Sequence, residues 1–289
     1  MGKTWAVTDF AERHFSGRAH VVDLERRRDL HAVFSGDLGA MRLLSQLEVV
    51  LDSRIQPGRD LLFLDEIQAC PRALVALRYF YEDVPQLHVI GAGSLVEFAL
   101  GEHSFPVGRV RFLNVYPMTF LEFLWATGHD VAAEVIAAGP AALTAAEHQR
   151  MLSLLREYLF VGGLPEAVSR YAETGLLREA FQAHDDLIEA YRADFGKYAP
   201  RVDRHTLDDV LVGVARSVGT QIKYSRLTDA RSPATVKNAL GLLERARVLH
   251  RVTAVSHVGL PVAAGATSRR FKAILADLGM IHRLSGAAL

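Results

Sequence analysis

Two short runs of this sequence have the residue types that handle phosphate. The first is Gly2-Lys3-Thr4. A polyphosphate is held by backbone N–H groups at the start of a helix, by a lysine that neutralises its outer oxygens, and by a hydroxyl that reaches Mg²⁺. The second is Leu61-Leu62-Phe63-Leu64-Asp65-Glu66, an apolar run that ends in two carboxylates. Asp65 lies 62 residues after Lys3 (65 − 3). At the end of a buried strand, a first carboxylate can hold a hydrated Mg²⁺ and a second can polarise an attacking water. The plainer reading of Asp65 is a cap on the next helix.

Two further positions fit the same chemistry. Gly91-Ala92-Gly93-Ser94 closes another apolar run. A small polar residue such as Ser94 can hydrogen-bond a γ-phosphate or a water there, or simply cap a helix. Arg109 follows Gly108. An arginine at such a place can reach the nucleotide of a neighbouring subunit as a finger, or form a surface ion pair. The candidate catalytic set is therefore Glu66, Ser94 and Arg109. The candidate nucleotide set is Gly2, Lys3, Thr4 and Asp65, with Thr4 and Asp65 on Mg²⁺ and ATP as the ligand.

The elements that must position these residues follow from periodicity. Residues 5–15 repeat as a helix and stop at Gly17; residues 19–24 then read as a strand. Residues 42–55 are helical in period and end at Pro57-Gly58. Residues 60–65 are apolar on both faces, as in a strand buried within a parallel sheet. Pro71 opens a helix to about Tyr81, and residues 87–90 form a further strand. Residues 110–115 are expected as one more strand, followed by a helix over 120–125. Strands alternating with helices at this spacing argue for βαβ units, with helices on both faces of a parallel sheet.

After Gly128 the pattern changes. Residues 132–198 are nearly all helical, broken at Gly139-Pro140 and at Gly162-Gly163-Leu164-Pro165. From Thr206 a helix, a short helix over 224–230 and a longer helix over 234–247 follow. Ser232-Pro233 is a strong start signal for the last of these. Residues 248–255 and 269–275 then read as two strands around a Gly/Ala-rich loop. That order is the order of a winged helix-turn-helix. The expected fold class is α/β, with a P-loop NTPase parallel sheet flanked by helices, then a helical subdomain and a winged-helix-like segment. The expected domains are 1–128, 129–204 and 205–289.

The bulk numbers agree with a folded chain of this kind. There are 289 residues, half of them hydrophobic and 23% charged, so disordered and fibrous classes are excluded. One cysteine, Cys70, rules out an intramolecular disulfide, and no Cys/His spacing suggests zinc. The start has no signal-peptide layout, and no run of about 18 apolar residues exists to span a membrane. A cytoplasmic setting is expected. The net charge is zero, yet residues 197–289 hold 15 Lys+Arg against 6 Asp+Glu, or +9, which leaves −9 on the rest. Such asymmetry suits a nucleic-acid partner, or a solvated face that meets the acidic body or another subunit.

The runs LLFLDEIQACPRALVALRYFYED, VIGAGSLVEFAL and FPVGRVRFLNVYPMTFLEFL, with Gly162-Gly163-Leu164-Pro165-Glu166 and SPATVKNALGLLERARVLHRV, resemble the AAA-like P-loop ATPases of archaea and bacteria in the AAA_14–DUF4143 family. The resemblance covers nearly the whole chain. It implies that Gly2, Lys3 and Thr4 end a Walker A loop, that Asp65 and Glu66 form Walker B, that Ser94 sits at the sensor position and that Arg109 is a candidate finger. It also implies a winged-helix segment followed by a nuclease-like fold.

The sequence departs from that pattern at both ends. A complete Walker A loop follows a buried strand, and neither precedes Gly2. The expectation is a chain truncated at both ends that binds ATP weakly or not at all, whereas a longer product starting upstream would bind it. A lone Asp277 does not make a metal-dependent nuclease, so no nuclease activity is expected. Two other functions remain open: a non-catalytic module that binds duplex DNA through the helix over 234–247 (Lys237, Arg245, Arg247) and the strand with Arg269, Arg270 and Lys272, and a structural adaptor. A protein partner or a homo-oligomer is compatible with each.

Overall fold

A computed structural model describes residues 2–94, 108–139, 142–198, 203–228, 231–255 and 266–286. The chain divides into two compact units, Gly2–Val115 and Tyr116–Leu289.

The first unit is a three-stranded parallel sheet with helices. Its elements are α1 (Lys3–His14), β1 (Ala19–Asp23), α2 (Ala40–Leu51), β2 (Leu61–Asp65), α3 (Pro71–Asp83) and β3 (His88–Gly91). The strand order is β1-β2-β3, with Ala19 opposite Leu61 and Leu61 opposite His88. Every residue of β2 is buried. The central strand of a parallel sheet is covered on both faces, so a continuous apolar run is what such a position selects. On α2 the buried residues are Ala40, Leu43, Leu44 and Leu47, one helical face that packs with Phe80 and Leu74 of α3. Pro71 stands at the first position of α3, where its missing N–H costs nothing. A 3₁₀ turn over Arg28–Phe34 buries Leu30, Val33 and Phe34 in the same core. Nothing in the periodicity of that charged stretch announces it.

Asp60 secures the starting ends of the strands. Its carboxylate accepts from the N–H groups of Arg18 (2.9 Å) and Gln56 (2.7 Å) and lies 3.1 Å from His20 Nε2. Burial pushes the carboxyl up, but these donors outweigh it and hold it below its ordinary value. Gly17 passes so close to Asp60 that a Cβ would overlap the carboxylate.

The expected strand over 110–115 is not formed. Among the described residues nothing offers it a ladder, and residues 111–115 are exposed. Alternating apolar side chains specify a strand only where a neighbour pairs with the backbone.

The second unit begins with five helices: α4 (Phe120–Ala126), α5 (Asp130–Ala137), α6 (Ala145–Val161), α7 (Pro165–Thr174) and α8 (Leu177–Tyr198). Reciprocal capping boxes, Thr119 with Glu122 and Thr144 with Glu147, start α4 and α6. Then follow α9 (Arg204–Arg216), a 3₁₀ turn (Tyr224–Arg226), α10 (Pro233–Arg245), β4 (Leu249–Val255) and β5 (Ala266–Leu275). Ser232 caps α10 by accepting from Thr235 N–H. β4 and β5 pair antiparallel, and Ile222 forms an antiparallel bridge to Phe271 on the other edge of β5. The turn is shorter than the expected helix over 224–230, and residues 229–230 lie outside the described ones. So do the Gly/Ala-rich loop at 256–265 and Pro140. The last element is α11 (Leu278–Ser285).

Asp277 holds this unit together. It is 3% exposed and accepts from Gly163 N–H (2.7 Å), Gly279 N–H (2.9 Å) and Met280 N–H (3.2 Å). His184 Nε2 of α8 lies 3.1 Å away, off the line of a good hydrogen bond. Burial, and then the Asp277 charge, push the Tyr191 hydroxyl up. Gly163 and Gly279 admit the close approach: a Cβ on the first would overlap the Met118 carbonyl, and one on the second would overlap His184.

Candidate functional site

The site is built where three strands end. The amide of Leu24 donates to the Asp65 carbonyl (3.0 Å), which joins the ends of β1 and β2. Ala92 N–H donates to Leu64 O (2.9 Å), and Ile67 N–H donates to Ala92 O (2.9 Å), which joins the ends of β2 and β3. Gly91 allows this approach, because a Cβ there would come within 2.8 Å of Ile67 Cδ1. These bonds fix the backbone on either side of Asp65 and Glu66.

Asp65 is buried, at 6% exposure. Thr4, in the first turn of α1, donates from Oγ1 to Asp65 Oδ2 at 2.6 Å, and Oδ1 accepts from Glu66 N–H at 3.0 Å. The structure thus brings together a hydroxyl and a carboxylate that are 61 residues apart in sequence. Both are hard oxygen donors of the kind Mg²⁺ prefers, and Mg²⁺ completes its octahedron with water and phosphate oxygens. Among the described residues no three or more His, Cys, Asp or Glu side chains gather around a metal position.

Gly2 is the N-cap of α1 in the left-handed conformation (φ 68°), and Lys3 is the first helical residue. The first turn of α1 has no acidic side chain, and its basic residues Arg13 and His14 lie at the far end. No acid of α1 itself competes with an anion at the positive end of the helix dipole beside Lys3.

Glu66 also has a left-handed backbone (φ 46°). A non-glycine residue in this region costs of order 1–3 kcal/mol and persists where the surroundings over-determine it. Here the neighbouring Ile67–Ala92 bond does so. The side chain is oriented by Gln68, whose Nε2 donates to Glu66 Oε2 at 2.5 Å. Sequence reasoning missed Gln68; its only signal is its place two residues after Glu66, inside a tight 3₁₀ turn (Ile67–Ala69).

The two remaining candidates are placed differently. Ser94 is exposed, three residues past the end of β3. Arg109 is not brought to Thr4 and Asp65. Its Nε donates to Glu82 Oε1 at 2.8 Å, in the last turn of α3. Since α3 leaves the Asp65 end of the sheet and leads to the start of β3, Glu82 lies toward the opposite end. Burial pushes the Glu82 carboxyl up, while Arg78 and Arg109 bring it below its ordinary value. A hollow lined by Phe10, His14, Phe15, Arg59, Leu61 and His88 is also at that opposite end. It is not part of the Asp65 site.

Comparison with known proteins bears on the fold and on two stretches of the sequence. Residues 1–124 match the family described as AAA domain, and residues 152–288 match a domain of unknown function, DUF8612. The resemblance drawn from the sequence pointed to DUF4143; the match is to DUF8612 instead. Residues 1–124 are thus similar to AAA domains, and the parallel sheet flanked by helices is a fold of the P-loop NTPase kind. In fold the chain is similar to the Walker-type ATPase paby2304 of Pyrococcus abyssi, at a TM-score of 0.58 and 16% identity, over 98% of this chain and 87% of that one. The Aeropyrum pernix ORC1 protein in complex with DNA also aligns, over 99% of this chain and 84% of that one, at a TM-score of 0.32 and 14% identity. No curated protein matches the chain. No helix among the described residues is long and apolar enough to cross a membrane.

Proposed function

We propose that the first unit binds ATP with Mg²⁺ and hydrolyses it. The observation that carries this reading is the Thr4–Asp65 contact of 2.6 Å at the end of a fully buried strand. In this assignment Gly2 and Lys3 meet the phosphates at the positive end of α1. The Thr4 hydroxyl and the Asp65 carboxylate together face the cation. Bound Mg²⁺ would supply neutralisation of charge on the β- and γ-phosphates. Glu66, held by Gln68, orients and accepts a proton from the attacking water. Ser94 contacts that water or the outer phosphate. Arg109 is the finger offered to a neighbouring copy, which requires it to leave Glu82. A reducing, cytoplasmic setting fits the buried lone Cys70.

The test is titration of a fluorescent ATP analogue into the chain with and without Mg²⁺. Binding to the wild type should strengthen with Mg²⁺. Asp65→Asn, which keeps shape but loses charge, should abolish that strengthening. Equal affinity with and without the metal, unchanged by the substitution, overturns the reading.

A further inference from the structure

The basic part of the chain lies outside the nucleotide site and has a structure of its own. Residues 223–272 contain ten Lys+Arg against two Asp+Glu, a net of +8. Among them Arg231 is bonded to Asp203 and Arg251 to Glu244, each at 2.7 Å. The helices beneath this charge are firmly packed. α9 buries Leu207, Val210, Leu211 and Val214, and α10 buries Val236, Ala239, Leu240 and Leu243 in the same core. Gly213 lets the turn after Tyr224 pass close to α9, since a Cβ there would come within 2.5 Å of the Leu227 carbonyl.

With one face of α10 fixed inward, the other face is set by the 3.6-residue period. Ala234, Lys237 and Asn238 are exposed on it. Gly241, one turn on, has nothing within 4 Å of where a Cβ would stand. This side carries a cation, an amide that can both donate and accept, and two small residues that keep the helix surface low. On β5 the alternation is equally clear. Phe271, Ala273 and Leu275 are buried, while Arg270 and Lys272 are exposed. Arg247, expected on the helix, lies past its end in the left-handed conformation (φ 59°).

We propose that this region binds duplex DNA through described residues, with the Lys237–Asn238 side of α10 in the major groove and Arg270 and Lys272 on backbone phosphates. A helix of this exposed profile fits the width of the major groove, where an asparagine pairs with adenine through two hydrogen bonds. Two cations on an adjacent hairpin hold the register without reading sequence. Charge complementarity selects the partner. The exposed side of α10 from Ala234 to Gly241 has no acid, and the only acid on the helix, Glu244, is bonded to Arg251. The proposal is independent of ATP binding by the first unit.

The experiment uses the full chain and a labelled random-sequence duplex, with binding followed by fluorescence anisotropy at stepped salt. Wild-type affinity should fall linearly with the logarithm of salt concentration. Arg270→Ala combined with Lys272→Ala should reduce that slope by about 2, because each cation seated on a phosphate accounts for about 1. Lys237→Glu should weaken binding at least about tenfold, since it sets a carboxylate against the groove. Asn238→Ala should keep the slope yet change the sequences enriched from a random duplex pool. All four positions are exposed, so unchanged thermal melts establish that the variants fold. Absence of binding at low salt, equal slopes for wild type and the β5 double variant, or failure of the wild type to enrich any sequence would each overturn the proposal. The first of these would leave the face to a protein partner.

Discussion

The hydroxyl of Thr4 donates to the carboxylate of Asp65 at 2.6 Å, so the first turn of α1 and the last residue of β2 share one point. Neither residue identifies a site alone. Together they place a hydroxyl, a buried acid and the positive end of a helix dipole within reach of one ligand. Thr4→Val removes the hydroxyl at nearly constant volume. It should destabilise by about 1–3 kcal/mol, because the buried Asp65 carboxylate loses a donor, and should weaken the Mg²⁺-dependent part of ATP binding. Calorimetric titration with and without Mg²⁺ separates the two effects.

Glu66→Gln should retain nucleotide binding and lose hydrolysis by a factor of roughly 10² or more, the ordinary worth of a positioned general base. Gln68→Ala, which releases the Glu66 carboxylate from its donor, should lower the turnover rate with little change in KM. Single-turnover phosphate release measures both. A Glu66→Gln variant as fast as the wild type removes Glu66 from the mechanism.

The Asp60 carboxyl sits below its ordinary value in the folded chain. Its contribution is therefore fully present above the ordinary carboxylate range and is lost as pH falls through the folded value. Asp60→Asn should cost about 1–3 kcal/mol at neutral pH, the penalty for weakening bonds to buried donors. The gap between variant and wild type should close on acidification. Urea unfolding at neutral and at acid pH gives the comparison, and a gap that stays constant contradicts the linkage.

Three glycines should respond in opposite directions. Gly163→Ala and Gly279→Ala press a methyl onto the Met118 carbonyl and onto His184, and should destabilise by roughly 1–3 kcal/mol or more. Gly241→Ala adds a methyl that meets nothing on a helix, and should stabilise by about 0.5–1 kcal/mol. Thermal melts of the three variants are a direct check.

Burial raises the Cys70 thiol, which is 5% exposed. The thiolate is the reactive form, so Cys70 should react with Ellman's reagent only after denaturation. Rapid labelling of the native chain would show that this end of α3 opens.

Much of the first unit was legible in the sequence because burial on both faces leaves no choice of residue. The run from Leu61 to Asp65 announces a central strand, and Pro71 announces the helix after it. The start of α10 was equally plain from Ser232-Pro233. What was not legible depended on partners. Residues 110–115 have strand-like side chains and no described neighbour to pair with. The Arg28–Phe34 turn buries three apolar residues from a charged stretch. At the site, the types of Thr4, Asp65 and Glu66 suggested the chemistry, but the bond between Gln68 and Glu66 and the pairing of Arg109 with Glu82 exist only in three dimensions. The structural roles of Asp60 and Asp277 were invisible for the same reason. An aspartate that collects backbone amides has no sequence pattern of its own.

Asp277 closes a loop of 114 residues back to Gly163. Contacts of such long range are made late and lost early, because most of the chain between them must first be ordered. The helices from Phe120 to Tyr198 and the segment after Asp203 are therefore expected to melt in one transition rather than in two. Cutting the chain just before Asp277 would strand the Gly163 amide in the interior and unravel helices far from the cut.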